Sequence, residues 1–228
     1  MSRVEGRSGA GRPAPSAGQR AYLWIRDAIL DGVFAEGEFI DEVALSEQVK
    51  TSRTPVREAL QRLQVERYVD LVPRRGAQVR VVTATEMREL YQARFVLESD
   101  AVRRICARRA GAPAAAGALV EEMEQVGLDG NWNRFAQLDQ LFHSTIVRHQ
   151  GNAVISDMYD ALQPRQVRLG TRTLTEGPSR LETIEVEHRE LLAALENHDG
   201  DACVDVLGRH LREIPELVDA FSGARGSR

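Results

Sequence analysis

The spacing of apolar positions changes twice along the chain. Tyr22, Ile25, Ile29 and Leu30 recur at helical intervals through residues 20–31, and Gly32 ends the run. An irregular or extended piece follows from Val33 through Gly37 to Ile40. Residues 42–49 predict a second helix, with Asp41 as its cap and Val43, Leu45 and Val49 as its buried side. Lys50 and Thr51 leave a short turn before a third helix, capped by Ser52 or Thr54. Pro55 falls in its first turn, where a missing N–H costs nothing. After Tyr68 the period drops to two. Val69 and Leu71, a turn at Pro73-Arg74-Arg75-Gly76, then Val79 and Val81 predict a hairpin.

From Thr83 the helical period returns and persists. Thr83 followed by Glu86 reads as a capping box opening a helix to about Arg109, with Met87, Leu90, Tyr91, Phe95 and Leu97 apolar. Further helices are predicted near 114–126, 131–150, 152–173, 179–198 and 200–221, separated by Gly and Pro breaks, with a kink at Pro164. The expected fold is mainly α: an N-terminal winged helix-turn-helix over 19–82 and an all-α helical bundle over 83–221. Residues 1–18, rich in Gly, Ala, Pro, Ser and Arg, read as a disordered tail, and 222–228 as a second tail.

The third predicted helix has two contrasting sides. Val56, Ala59, Leu60 and Leu63 form an apolar stripe, while Arg53, Arg57 and Gln61 share the opposite face. A helix with cationic, hydrogen-bonding tips suits the major groove of DNA. Arg74, Arg75 and Gly76 at the hairpin tip suit the sugar-phosphate backbone or the minor groove.

Charge at first argues against a DNA partner, because the chain of 228 residues has a net charge of −4. Residues 1–82 nevertheless carry 13 basic and 11 acidic side chains, against 17 and 23 in the remainder. The attraction must therefore come from the local cluster of Arg53, Arg57, Arg74 and Arg75. No apolar run approaches the ~18 residues of a membrane span, and no secretory h-region is present, so a cytoplasmic protein is expected. Cys106 and Cys203 are far apart in sequence and read as buried free thiols.

In the second half, Asp139 and His143 lie one helical turn apart, and His188 and His210 fall within two later helices. Three helices could bring one carboxylate and three imidazoles to a point, a set that suits a divalent metal such as Zn, Ni or Mn. Spacing alone leaves open that these are ordinary histidines bonded to neighbours. His149 and His198 sit at helix ends, where a cap or dipole role is the plain reading. Arg94, one turn before Glu98, fits either an i, i+4 ion pair or a pocket cation for a carboxylate. Arg165 and Arg168 are weaker candidates for a pocket rim and otherwise read as solvated.

The run Leu45-Ser-Glu-Gln-Val, then Ser52-Arg-Thr-Pro-Val-Arg-Glu-Ala-Leu-Gln-Arg-Leu63 and Pro73-Arg-Arg-Gly76, resembles the DNA-binding domain of the GntR family of bacterial transcription regulators. The resemblance covers roughly residues 18–82. It implies operator contacts at Arg53 and Arg57, with Ser52 and Thr54 touching the DNA backbone. Three positions depart from the family pattern. Lys50 and Arg67 stand where relatives carry Gly, and Val43 where relatives often carry a DNA-contacting Arg. The segments around Asp139-Gln-Leu-Phe-His143, Glu187-His188-Arg-Glu-Leu-Leu and Arg209-His210-Leu211 are similar to the FadR-type C-terminal ligand-binding domain. That likeness implies a metal held by Asp139, His143, His188 and His210 at the floor of a pocket for a small carboxylate effector, with Arg94 pairing the carboxylate.

The expectation is a homodimeric, ligand-responsive regulator, a repressor, on an inverted-repeat operator. Two alternatives remain at this stage. One is a metal-dependent enzyme with an accessory DNA-binding-like domain. The other is a regulator whose metal is purely structural.

Overall fold

The computed structural model describes residues 15–213 and 215–222. The expected tails lie largely outside those residues, but the first is shorter than predicted. Helix α1 (Ala17–Leu30) already begins inside it, with the Ser16 hydroxyl accepting from the Gln19 N–H. Strand β1 (Phe39–Ile40), α2 (Glu42–Gln48), α3 (Arg53–Val65), β2 (Val69–Val72) and β3 (Gly76–Val79) complete the N-terminal unit. Ile25, Leu45, Val56, Leu60, Leu63 and Tyr68 close its core. Two expectations change here. The hairpin is one part of a three-stranded sheet ordered β1-β3-β2, because the free edge of β3 takes up residues 37–40. Val43 faces solvent, 44% exposed, so Leu45 is the buried residue of α2 and Val49 is half-buried.

Helices α4 (Ala84–Ala107), α5 (Ala116–Leu128), α6 (Trp132–His149), α7 (Ala153–Asp160), α8 (Gln163–Glu176), α9 (Arg180–Glu196), α10 (Gly200–His210) and α11 (Pro215–Ser222) form the bundle. Ile105, Met123, Phe135, Phe142, Leu191, Leu195 and Leu207 fill its centre. The helix predicted over 152–173 is two helices. The break falls at Ala161-Leu162, and Pro164 sits in the first turn of α8, where proline is tolerated, so it starts a helix and does not kink one. The segment 200–221 likewise divides, with Pro215 opening α11. Phe95 lies at the surface, 36% exposed, while the polar Arg94 and Glu98 of the same helix are buried.

Helix α8 is the structural hinge-pin of the molecule. Gly170 lets it approach α6, since a Cβ there would stand 3.2 Å from that of Ala136. Its Val167 joins the core of the winged helix. Arg168 donates to the carbonyl of Arg67 at 2.8 Å and to Glu86 at 3.0 Å, and Arg172 pairs with Glu36. Glu86 is thereby drawn away from closing the capping box, of which only the Thr83 half forms.

Candidate DNA-facing surface and metal centre

Arg53, Arg57 and Gln61 emerge together on the exposed side of α3, opposite the buried Val56, Ala59, Leu60 and Leu63. Ser52 takes the N-cap position with extended backbone, and its hydroxyl makes no capping bond. Thr54 is exposed in the first turn. The positive end of the α3 dipole therefore opens outward with hydroxyls beside it, an arrangement that accepts phosphate. Across a cleft, the β2–β3 tip brings Arg74, Arg75 and Gly76 to the same side. Arg74 holds a left-handed backbone at φ 64° and Arg75 stacks its guanidinium 3.9 Å above the Phe39 ring. Gly76 is obligatory: at φ 89°, an added Cβ would lie 2.4 Å from the Ile40 carbonyl oxygen. Of the seven expected DNA-binding residues, Arg53, Arg57, Arg74, Arg75 and Gly76 line this cleft, and Ser52 and Thr54 are exposed at the start of α3. Glu42, which sequence reasoning did not single out, pairs with both helix arginines at 2.6 Å to Arg57 and 3.7 Å to Arg53.

In the bundle, α6, α9 and α10 converge. Asp139, His143, His188 and His210 each offer a ligand atom within 4.8 Å of the others. His143 Nε2 lies 3.2 Å from His188 Nε2, which lies 3.2 Å from Asp139 Oδ1. The tautomers follow from the outer partners. Glu98 Oε2 stands 2.8 Å from His143 Nδ1, and Glu187 Oε2 stands 3.0 Å from His210 Nδ1. Glu187 claims the His210 Nδ1 proton, and the Glu98 carboxylate beside His143 Nδ1 favours the same tautomer there, which turns an Nε2 lone pair to the cluster in each. Glu98 also accepts from Arg94 Nε at 2.8 Å and the Tyr159 hydroxyl at 2.7 Å.

Electrostatics agree with the geometry. Burial opposes ionisation of Glu98 and Asp139, but Arg94 and the neighbouring histidines overcome it and hold both well below the usual carboxylate range. Burial pushes the His188 imidazole down to about 4, against the pull of Asp139, so it is neutral at pH 7. Burial also lowers His210. A charged Asp139 and a neutral His188 are in the protonation states that metal binding requires. Four ligand atoms of one carboxylate and three imidazoles gathered at one point are a donor set that fits a divalent ion.

A cavity of about 40 Å³ adjoins the cluster, lined by Tyr91, Arg94, Asp139, Gln166, Thr173 and Arg180 among others, with His210 at its edge. Arg94 forms the i, i+4 ion pair through Nε to Glu98, while its Nη2 is buried without a hydrogen-bond partner and the residue lines the cavity. Arg165 and Arg168 are absent from this lining. Arg165 pairs with Glu86 of α4, and Arg168, buried at 6% exposure, reaches the winged helix.

Residues 89–213 match the FCD domain family, and residues 17–79 match the bacterial regulatory proteins, gntR family. The chain belongs to the GntR family. An HTH-type transcriptional regulator from the TAR-I ttuE-ttuC' intergenic region of Agrobacterium vitis is 33% identical over 60% of this chain and 84% of its own. The gluconate operon transcriptional repressor of Bacillus licheniformis is 28% identical over 90% of this chain and 86% of its own. Among solved structures, a GntR transcriptional regulator from Rhodococcus sp. RHA1 shares the fold with a TM-score of 0.68, 23% identity and coverage of 92% and 99% of the two chains.

As a GntR-family transcriptional regulator the protein is not an enzyme, and the metal-dependent-enzyme reading falls. Two departures from the family pattern gain a physical description. Lys50 and Arg67 stand at φ 55° and 62°, the left-handed backbone that glycine adopts without strain. The third, Val43, is exposed beside Glu42 at the start of α2, so the residue change alters the outer face alone. No helix among the described residues is long and apolar enough to cross a membrane.

Proposed function

We propose that the protein is a cytoplasmic, homodimeric repressor that leaves an inverted-repeat operator when a small organic acid binds beside a divalent metal. Residues 19–82 form the DNA-binding domain and 83–221 the effector domain. Arg53 and Arg57 read bases from α3, Ser52 and Thr54 hold the backbone, and Arg74, Arg75 and Gly76 present the wing. Asp139, His143, His188 and His210 hold the metal. One carboxylate with three imidazoles suits zinc best, with nickel and manganese as the other fitting ions. The ion supplies a positive anchor for an acid, and the spare Nη2 of Arg94 supplies a second. That a gluconate operon repressor is among the relatives supports an acid as effector.

The observation that carries this reading is the double face of α8. Gln166, Leu169, Gly170, Thr173 and Leu174 line the acid cavity, while Arg168, Thr171, Arg172 and Thr175 line the cleft under the winged helix. One rigid helix is therefore the wall of both sites, and a ligand that displaces it must reposition the DNA-binding unit. A coupling of about 1–3 kcal/mol is enough for regulation.

The test uses purified metal-loaded protein and the DNA upstream of its own gene. Sequence-specific binding should vanish in Arg57→Ala with dimer and metal content unchanged. In the wild type, it should weaken when a binding acid is added. Stripping the metal should abolish the acid response. An acid affinity unchanged by metal removal would assign the ion a structural role instead.

A further inference from the structure

We propose that the cavity is shaped for a short dicarboxylate, with Arg180 as the residue that takes the second carboxylate. This rests on reading the cavity as the effector site. Arg180 is the first residue of α9 and lines the cavity. Its side chain is only 14% exposed, yet its Nε is buried and has no hydrogen-bond partner among the described residues. The nearest carboxylate is Glu187, 4.0 Å from Nη2. That same Glu187 oxygen is already engaged 3.0 Å from His210 Nδ1, where it sets the tautomer of a metal ligand. Arg180 is thus a desolvated cation whose local acid is committed elsewhere.

Arg94 presents the same incompleteness from a different helix. Its Nε is satisfied by Glu98, while Nη2 is buried and unpartnered. Tyr91 lies on the cavity wall in the field of both guanidiniums. The cavity accordingly has an anchor at the metal cluster with Arg94 and a separate one at Arg180. Phe135, Ala136, Leu169, Leu174 and Ile184 supply apolar wall for a carbon skeleton. A monocarboxylate held by the metal and Arg94 leaves the buried Arg180 Nε without an acceptor. A guanidinium takes a carboxylate through a planar fork, so a second carboxylate is the group that completes it. The small cavity favours a short carbon skeleton.

The experiment measures affinities of the metal-loaded full chain by calorimetry, with melting shifts alongside. Malonate, succinate and glutarate are compared with propionate, butyrate and valerate, pairs matched in carbon number. At least one dicarboxylate should bind about tenfold or more tightly than its partner. Arg180→Gln should bring that pair to parity while monocarboxylate affinity and metal content stay unchanged. Arg180→Lys, which keeps the charge without the fork, should retain part of the preference. Should the glutamine variant fail to fold, the wild-type ratios and the lysine variant decide. Equal binding of both acid classes by the wild type, or a preference that survives in Arg180→Gln, overturns the assignment and leaves the effector-site reading standing. If no acid of either class binds the wild type, both readings fall together.

Discussion

Glu42 Oε2 lies 2.6 Å from the Nε of Arg57, on the helix proposed to face DNA. The same oxygen is 3.7 Å from Arg53. An acid at the start of α2 therefore aligns both arginines before DNA arrives, and also opposes the phosphates that DNA brings. Glu42→Gln should raise affinity for random-sequence DNA and steepen the dependence of log K on log salt by about one phosphate equivalent. It should also narrow the margin between operator and random DNA, because the arginines lose their fixed orientation. Fluorescence anisotropy across a salt series measures both quantities. An unchanged salt slope would show that the carboxylate stays clear of the DNA field.

Glu98 is the keystone of the metal cluster without belonging to it. It joins Arg94, Tyr159 and His143 in one buried network. Glu98→Gln keeps the shape but can no longer fix the His143 tautomer through a charged acceptor. Metal affinity should fall about 10–100-fold, in line with loss of an outer-shell partner. His143→Ala should lose the ion altogether. Competition with a colour-forming chelator reads the first, and elemental analysis of the purified protein the second. Full affinity in Glu98→Gln would remove the carboxylate from the site's design.

Much of this was legible in the chain because local pattern and tertiary role coincide. Arg53 and Arg57 against Val56, Ala59, Leu60 and Leu63 make a face of α3 that only one orientation satisfies. The cluster of Asp139, His143, His188 and His210 was readable as residue types at helical positions, though convergence of three helices had to come from packing. The misread boundaries share one cause. Apolar spacing runs on through Leu162 and Leu211, so periodicity masked two breaks that Pro164 and Pro215 mark as helix starts. Arg168 and Arg180 were beyond reach of spacing. An arginine on a helix looks solvated until the carbonyls or the cavity that face it are known.

Five residues other than glycine, Lys50, Arg67, Arg74, Arg109 and His198, hold a left-handed backbone among the described residues, and Lys50 is the simplest to correct. It is exposed, with φ 55°. Lys50→Gly should stabilise the protein by up to about 1 kcal/mol, the left-handed strain removed less the added chain entropy of glycine. Gly76→Ala should do the reverse, at roughly 2 kcal/mol or more, since its Cβ meets the Ile40 carbonyl at 2.4 Å. Urea unfolding of the two variants beside the wild type gives both signs. Stabilisation by Gly76→Ala would mean that the wing tip is not held against β1.

The two thiols that looked unrelated in sequence face each other across α4 and α10, Cys106 Sγ 3.9 Å from Cys203 Sγ. Burial pushes the Cys203 thiol up to about 12 and raises Cys106 as well. Thiolate, the reactive form, is therefore scarce in the native state. Iodoacetamide at pH 8 should leave both residues unmodified in folded protein and label both in denaturant, as mass spectrometry would record. Rapid labelling of Cys203 under native conditions would contradict the packing of α10 against α4.

Arg168 ties the two halves of the molecule, and its removal separates folding from signalling. Its guanidinium donates to the Arg67 and Arg80 carbonyls and to Glu86, from a position 6% exposed. Arg67 is one of the left-handed residues, so the latch grips a strained turn directly after α3. Arg168→Ala takes a donor from the part-buried Arg67 and Arg80 carbonyls and leaves Glu86 with Arg165 alone, which should lower stability by roughly 1–3 kcal/mol. Arg172, paired with Glu36 and donating to the Val82 carbonyl, keeps the units in contact. DNA binding and metal content should therefore persist. The acid response should not: with the latch gone, a shift of α8 no longer reaches the turn behind the recognition helix, and operator affinity should become nearly the same with and without ligand. Titrating operator binding of the variant at saturating acid decides the matter. A response equal to that of the wild type would place the coupling on another route, with Arg172 and the Val82–Glu86 connection next in line.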